Sequence, residues 1–249
     1  MSGATSTHDL HAMTTAALQA RLAAGPVIAL VPVGSTEPHG PHLGLGTDVA
    51  ISRAACVRAV ALLAAAGQDA VIAPAVPYGV TECAAGFAGA VSVPGPVLTA
   101  FVGAVCDGLL AQGFAQVALV NNHLEPAHDA AIRAVAVDRP RVVVACPLTR
   151  RWARTLSAEF KSGACHAGRY ETSIVLAAEP ALVDEGARAP LPAVPISLSE
   201  QLGNGVTTFA AMGMHDAYAG DPAAATAAEG REQIERLAEM IIGELTATT

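Results

Sequence analysis

Short apolar runs alternate with Ala-rich stretches of helix length along most of the chain. The run Val27–Val33 is almost entirely apolar, which is typical of a strand that is buried on both faces of a sheet. The next apolar stretch, 49–66, has the length of a helix, with Thr47 or Asp48 positioned to cap its start and Gly67 to end it. The pattern therefore predicts a strand, a loop and a helix in succession.

The same alternation continues to about residue 145. It predicts further strands at 70–77, 116–121 and 141–145, and further helices at 95–112 and 126–137. Later in the chain it predicts a helix beginning near Glu171, a Pro-rich connection at 189–195 and a last helix running from Asp221-Pro222 towards Leu245. Repeated strand–helix units favour a mostly parallel sheet with helices on both faces. We therefore predict one three-layer α/β/α domain over residues 1–249, of which 1–20 form a partly flexible N-terminal segment.

Composition restricts the classes of partner. The chain has 14 Lys+Arg and 22 Asp+Glu, a formal charge of -8, so attraction to a phosphate backbone is disfavoured. No segment has about 18 uninterrupted apolar residues, and the N-terminus has no signal-peptide pattern. The five cysteines are scattered and never form a CxxC pair, which is typical of reduced thiols. These features predict a cytoplasmic protein without nucleic-acid or membrane partners.

Ligand-type side chains follow the first predicted strand. Glu37 and His39 are two residues apart, so in an extended segment both point to the same side, and Asp48 lies at the far end of the loop. Loops after the strands of a parallel sheet commonly form the ligand crevice. Imidazole and carboxylate ligands suit zinc or manganese.

A second pair, His123 and Glu125, follows the predicted strand at 116–121 and therefore belongs to the same edge of the sheet. Five ligand-type residues are more than one four-coordinate ion takes, but they suit two divalent ions that share a bridging carboxylate, for which Asp48 is the candidate. Each residue alone also fits a structural role: Asp48 as a helix cap, or Glu125 as a charge near a helix N-terminus.

Two stretches resemble the signatures of the creatininase (creatinine amidohydrolase) family: VPVGSTEPHGPHLGLGTD at 31–48 and VNNHLE at 120–125. The resemblance implies a creatininase-like fold and two Zn²⁺ and/or Mn²⁺ ions per chain. It implies that Glu37, Asp48 and His123 hold one ion. The other ion would be held by His39, Asp48 and Glu125.

A third stretch, HAGRYET at 166–172, resembles the family's HAGxxET segment. There the resemblance implies that His166 is a catalytic acid/base residue and that Glu171 helps to form the site. It also implies a homo-oligomer, with a hexamer as the expected state.

The chain departs from the members of the family that hydrolyse creatinine. They place a Tyr and a Trp where this sequence has Leu124 and Ser162, so a member other than creatininase itself is indicated. The roles of Trp152, Glu82 and Cys83 stay open. The interpretation is a metal-dependent hydrolase that cleaves a C–N amide bond of a small cyclic or linear amide, using a hydroxide that bridges the two ions. The alternatives are a formamide deformylase or peptidase on the same scaffold, or a non-catalytic metal-binding protein.

Overall fold

A parallel four-stranded sheet forms the centre of the molecule. The computed structural model describes residues 7–247. The strands are β1 (Val27–Val33), β2 (Asp69–Ile72), β3 (Gln116–Asn121) and β4 (Val142–Ala145), in the spatial order β2-β1-β3-β4. Neighbouring strands all run parallel, and Val33 at the end of β1 lies opposite Asn121 at the end of β3. The loops that follow β1 and β3 therefore leave the sheet side by side.

The helices are α1 (Thr15–Ala24), α2 (Thr47–Ala65), α3 (Gly95–Ala111), α4 (Pro126–Ala136), α5 (Arg150–Ala153), α6 (Ala158–Ser162), α7 (Arg169–Ala178), α8 (Glu185–Arg188), α9 (Leu198–Gly203), α10 (Phe209–Met212) and α11 (Ala227–Thr246). Short 3-10 turns lie at Leu10–Ala12, Pro180–Leu182 and Pro222–Ala224. None of the helices in the described part of the chain is long and apolar enough to cross a membrane.

Alternation along the strands produces three layers. Side chains such as Ile28 and Leu30 of β1 pack with helices α2, α7 and α11 on one face of the sheet. Val27, Ala29 and Val31 pack with α3 and α4 on the other face. Because successive strand residues point to opposite faces, a nearly all-apolar strand must be covered on both sides. The predicted α/β/α architecture is confirmed.

Most element boundaries agree with the sequence pattern, but three differ. The strand predicted at 70–77 ends at Ile72, because Pro74 and Pro77 have no N–H to donate to a neighbouring strand. The last helix begins at Ala227, after a 3-10 turn at Pro222–Ala224. Its N-cap is Thr226, whose side chain accepts the amide hydrogen of Glu229.

The third difference is at the start of α2, where Gly46 occupies the N-cap position without a side-chain cap. The Thr47 hydroxyl instead donates to the carbonyl of Gly44 at 2.8 Å. The Asp48 carboxylate accepts the amide hydrogen of Ser35 at 3.1 Å. The prediction of a Thr47 or Asp48 cap was therefore wrong, and Asp48 is directed back towards the loop that follows β1.

The N-terminal segment predicted as partly flexible, 1–20, is described only from residue 7. There the carbonyl of His8 accepts the amide hydrogen of Ile72 at 2.8 Å, and Asp9 pairs with Arg53 at 2.7 Å. The flexibility of 1–20 stays a prediction, and its first six residues lie outside the described residues. All five cysteines are free, as expected from their scattered positions.

Candidate metal centre

The donor groups of the site come from three places at the carboxyl edge of the sheet. Glu37 and His39 follow β1, Asp48 lies in the first turn of α2, and His123 follows β3. A Cβ on Gly34 would lie 2.6 Å from the Cβ of Asp48, so only glycine permits this close approach of the loop to the helix. The edge predicted from the sequence is therefore where these side chains meet.

Two sets of donor atoms converge around Asp48. One set is Glu37, Asp48 and His123, and the other is His39, Asp48 and Glu171; within each set the donor atoms lie within 4.8 Å of one another. The Nδ1 atom of His123 is 3.2 Å from Glu37 Oε1 and 3.1 Å from Asp48 Oδ2. All of these residues are buried. Asp48 is the residue that the two sets share.

Both imidazoles are held in the same way. The Nδ1 of His39 donates to the carbonyl of Glu37 at 3.1 Å, and the Nε2 of His123 donates to the carbonyl of Val80 at 2.7 Å. A carbonyl oxygen only accepts, so these nitrogens carry hydrogen and the opposite nitrogens face the carboxylates. The facing Nε2 of His39 is 3.2 Å from Asp48 Oδ1 but makes no hydrogen bond with any described residue. A histidine anchored by a backbone carbonyl, with its other nitrogen presented to carboxylates, is the usual arrangement of a metal ligand.

A strained turn brings His166 and Glu171 to the same place. Ala167 has a φ of 51°, a left-handed conformation that non-glycine residues rarely adopt, and its amide donates to Glu171 Oε2 at 2.6 Å. The Nε2 of His166 donates to the carbonyl of Pro38 at 3.0 Å, and its Nδ1 lies 3.9 Å from Glu37 Oε1. The motif predicted to carry catalysis thus lies against the first loop.

Glu125 is placed differently from the other predicted ligands. Its Oε1 and Oε2 accept the amide hydrogens of Glu82 and Cys83 at 3.1 and 3.0 Å. It belongs to neither donor set, although it lines the same cavity. The geometry therefore brings together four of the five predicted metal ligands. It adds the two residues that the sequence assigned to catalysis, Glu171 in the second set and His166 in a further group with Glu37 and His39.

The cluster requires positive charge. Burial alone would lower the pKa of His39, but the carboxylates of Asp48, Glu171 and Glu37 raise it to about 10. Burial also lowers the pKa of His123, but the charges of Glu37 and Asp48 outweigh that effect, so the pKa is well above its ordinary value. Burial would raise the pKa of Asp48, yet His123 and His39 hold it well below its usual range. In the absence of a cation, imidazolium protons neutralise the carboxylates.

The remaining two groups are shifted towards their neutral forms. Burial and the Asp48 charge raise the pKa of Glu171 to about 8, against the opposing effect of His39. Burial, together with the positive charge on His39, lowers the pKa of His166 to about 4. At neutral pH, Glu171 therefore holds a proton and His166 does not.

These groups fit divalent cations. Nitrogen and carboxylate oxygen donors suit zinc or manganese, and replacing protons by metal ions would leave the histidines neutral and Glu171 ionised. The Nε2 atom of buried His39 faces carboxylates and has no hydrogen-bond partner among the described residues, so in the neutral imidazole its lone pair is available to a cation. A bound cation would satisfy it.

Residues outside the two donor sets support the ligands through hydrogen bonds. The hydroxyl of Thr81 donates to Glu37 Oε2. The side chain of Asn121 bonds the backbone of His123 twice, donating to its carbonyl and accepting its amide hydrogen, both at 3.0 Å. Thr81 and the carbonyl of Val80 lie on a loop that is distant along the chain from Glu37 and His123, so only the fold brings them here.

A cavity of about 570 Å³ opens above the cluster. Its buried acids, Glu37, Asp48, Glu125 and Glu171, form the floor, and its wall is largely apolar, with Leu148, Phe160 and Phe209 among the lining residues. The volume is within the range of about 300–1,000 Å³ typical of sites that bury a drug-sized ligand. The cavity can therefore hold more than a single amide group.

The residues whose roles the sequence left open now have positions. Cys83 lines the cavity, whereas Glu82 accepts a hydrogen bond from the Ser92 hydroxyl at 2.5 Å. Trp152 is partly buried against the core and donates to Glu244 at 2.5 Å, which makes it a packing residue.

Sequence comparisons identify a family. The creatininase profile, described as creatinine amidohydrolase, matches residues 11–245. The mycofactocin precursor peptide peptidase of Mycolicibacterium smegmatis is 36% identical over 222 residues, covering 86% of this chain and 81% of that protein. The creatinine amidohydrolase of Pseudomonas putida is 31% identical over 112 residues, covering 43% of this chain and 41% of that protein.

Solved structures show the same fold. A putative creatinine amidohydrolase from Bacteroides fragilis superposes with a TM-score of 0.74 at 21% identity, covering 98% of this chain and 96% of that chain. A creatininase described as "Creatininase Mn" gives a TM-score of 0.68 at 24% identity, covering 95% and 96%. The family predicted from the three motifs is confirmed, and so is the departure from creatininase itself, since relatives with a different name match most of the chain. With the family profile spanning 11–245, this chain belongs to the creatininase family of hydrolases.

Proposed function

We propose that this chain is a metal-dependent hydrolase that cleaves a C–N amide bond of a peptide. The observation that carries the proposal is the convergence of two donor sets on Asp48 at the floor of a 570 Å³ cavity. The peptide substrate is favoured by the relative named a peptide peptidase, which matches most of the chain, while the match to a creatinine amidohydrolase covers less than half of it. The small cyclic or linear amide expected from the motifs is the second candidate, and Leu124 in place of a family Tyr weighs against it.

The geometry supports a revised ligand assignment. We assign Glu37, Asp48 and His123 to one divalent ion and His39, Asp48 and Glu171 to the other, with Zn²⁺ and Mn²⁺ as the candidate ions. When bound, such ions would supply Lewis acidity towards a carbonyl oxygen and would lower the pKa of a water molecule, so that hydroxide would be available as the nucleophile near neutral pH.

His166 is suited to move a proton in this site. Because its Nε2 donates to the carbonyl of Pro38, its Nδ1 is the free acceptor, and the lowered pKa keeps that nitrogen unprotonated at neutral pH. It can take a proton from the attacking water. Once protonated, it can pass that proton to the departing amine nitrogen.

Glu125 has a different part in this proposal. Two backbone amides fix its carboxylate at the cavity wall, and each oxygen keeps a second lone pair. It can therefore accept a hydrogen bond from the substrate N–H and orient the scissile amide. Its role as a metal ligand, as expected from the second motif, stays the alternative.

The test is a substrate panel with the metal-loaded protein: short peptides, formamides and cyclic amides. We expect release of a new amino terminus from peptides. His166→Ala should lower kcat by about 10²–10⁴-fold with its metal content unchanged, and His11→Ala, an exposed histidine, should have no effect. Turnover of cyclic amides alone would favour the second candidate. Metal binding without turnover of any amide would instead identify a non-catalytic metal-binding protein.

Oligomeric state is a separate proposal, since the structure contains one chain. The homo-oligomer expected from the family resemblance predicts a particle larger than one 25.0 kDa chain in light scattering. A monomer at micromolar concentration would contradict it.

A further inference from the structure

Only some of the cationic side chains of this acidic protein form ion pairs. Of its 14 Lys and Arg residues, eight form ion pairs with carboxylates of the described residues: Arg21, Arg53, Arg58, Arg133, Arg139, Arg169, Arg188 and Arg236. Six have no carboxylate partner within the described range: Arg141, Arg150, Arg151, Arg154, Lys161 and Arg231. Three of these six line the cavity, namely Arg150, Arg154 and Lys161, which we call the basic rim.

The basic rim is exposed to solvent, whereas the acids that line the same cavity are buried. Arg150 begins α5, Arg154 follows its last residue and Lys161 is on α6, so all three belong to the segment between β4 and α7. The cavity therefore has buried carboxylates, which its own histidines or bound cations neutralise, and a cationic mouth whose side chains form no ion pair with a carboxylate of the described residues.

Positive charge at the entrance of the cavity favours the binding of anionic ligands. Cations grouped at the entrance of a cavity with an apolar wall attract anions and raise their local concentration. The cations of the basic rim form no ion pair that would stabilise the fold, and their mutual repulsion slightly destabilises the folded state. An extended polyanion such as nucleic acid gains little here, because the chain as a whole carries a charge of -8. A segment with a few carboxylates that enters the cavity gains most.

We propose that the basic rim recognises acidic side chains of a peptide substrate, placed a few residues from the amide bond that is cleaved. This inference rests on the proposed peptidase function, and it names the substrate class that the mouth of the cavity prefers. The apolar part of the cavity lining, with Leu148 and Phe160, would contact the intervening residues.

The test compares two fluorescent peptides of identical length that differ only in four Glu or four Gln residues. Binding is measured by fluorescence anisotropy and hydrolysis by KM and kcat. The rim variant is Arg150→Gln/Arg154→Gln/Lys161→Gln. Its control is Arg141→Gln/Arg231→Gln/Arg236→Gln, which removes three exposed arginines that do not line the cavity.

In the wild type we expect the Glu peptide to bind about tenfold more tightly, since each exposed ion pair contributes up to about fivefold and only part of this adds. The preference should appear in KM and not in kcat. It should shrink when ionic strength rises from about 0.1 M to about 1 M, which shortens the Debye length from about 10 Å to about 3 Å. The rim variant should lose the preference, and the control should keep it.

Equal binding of both peptides by the wild type, or an unchanged preference in the rim variant, overturns the inference. Failure of the proposed function looks different: neither peptide is cleaved. The anisotropy preference for the Glu peptide still decides whether the rim recognises acidic peptides in that case. Matching circular dichroism melting curves for the two triple variants exclude unfolding as the cause.

Discussion

Metal binding should release protons in a number that the cluster determines. At pH 7, His39 with a pKa of about 10 is protonated, His123 with a raised pKa is protonated, and Glu171 with a pKa of about 8 holds most of one proton. Binding of two divalent ions requires neutral histidines and an ionised glutamate. Filling both sites should therefore displace close to three protons per chain from these side chains, and a metal-bound water that ionises would release one more.

Isothermal titration calorimetry of the metal-free protein measures this number. The titration is repeated at pH 7 in buffers of different ionisation enthalpy, and the slope of the observed enthalpy against that of the buffer gives the protons released. At pH 9 the release should fall by about one proton, because Glu171 is by then mostly ionised. Apparent affinity should rise with pH up to the pKa of His39, since both histidines lose their protons only on binding or at higher pH.

A matched variant tests the ligand set. Glu171→Gln cannot release a proton, so it should lower the release at pH 7 by about one and weaken the second site, whereas Glu125→Gln should leave the proton count unchanged. A slope near zero in the wild type would refute the reasoning, because it would mean that no protonated group is displaced by the ions.

Three further outcomes are expected. The metal-free protein should melt at a lower temperature as pH rises from about 6.5 to about 10. Protonated His39 stabilises the folded state, and this contribution is lost as the proton leaves over that range. A melting temperature that rises over this window would contradict the charge assignment. Thr81→Val should weaken metal affinity about 10–100-fold by removing the hydroxyl donor to Glu37, and Thr81→Ser should restore it; equal affinities in a competition titration would disprove the role. Gly230→Ala should lower the free energy of unfolding in urea by about 1–3 kcal/mol, because its Cβ would meet a carbonyl of α7, whereas Gly108→Ala, with nothing within 4 Å, should not lower it.

Much of the fold was predictable from the sequence, because buried parallel strands have a distinctive composition. The runs at Val27–Val33 and Gln116–Asn121 predicted β1 and β3 with their observed ends. Both strands are covered on two faces, so nearly every residue had to be apolar. Because parallel strands end at the same edge of the sheet, the sequence also predicted that Glu37 and His123, which follow these strands, lie close together.

The parts that no local pattern indicates depend on contacts between distant segments. Glu125 and His123 are two residues apart, yet two amides after Tyr78-Gly79 draw the Glu125 carboxylate away to the wall. Glu171 is drawn into the cluster by the turn at Ala167. No local pattern could indicate either contact. The spacing of two residues predicts which way a side chain points, but it does not predict which group that side chain contacts.

The basic rim could not be predicted from the sequence either. Arg150, Arg154 and Lys161 lie in two short helices with no clear periodicity, and arginines next to them, such as Arg151, do not line the cavity. Only the cavity lining and the distribution of ion pairs separate these three residues from ordinary surface charges.

The central claim is that two donor sets share Asp48 and hold two divalent ions. Metal analysis by mass spectrometry of the purified protein, after reconstitution with zinc or manganese and removal of excess ion, tests it directly in the wild type and in Asp48→Asn. The account predicts about two ions per chain in the wild type and loss of ions from both sites in the variant. A wild type that retains no ion, or an Asp48→Asn variant that retains two, would contradict it.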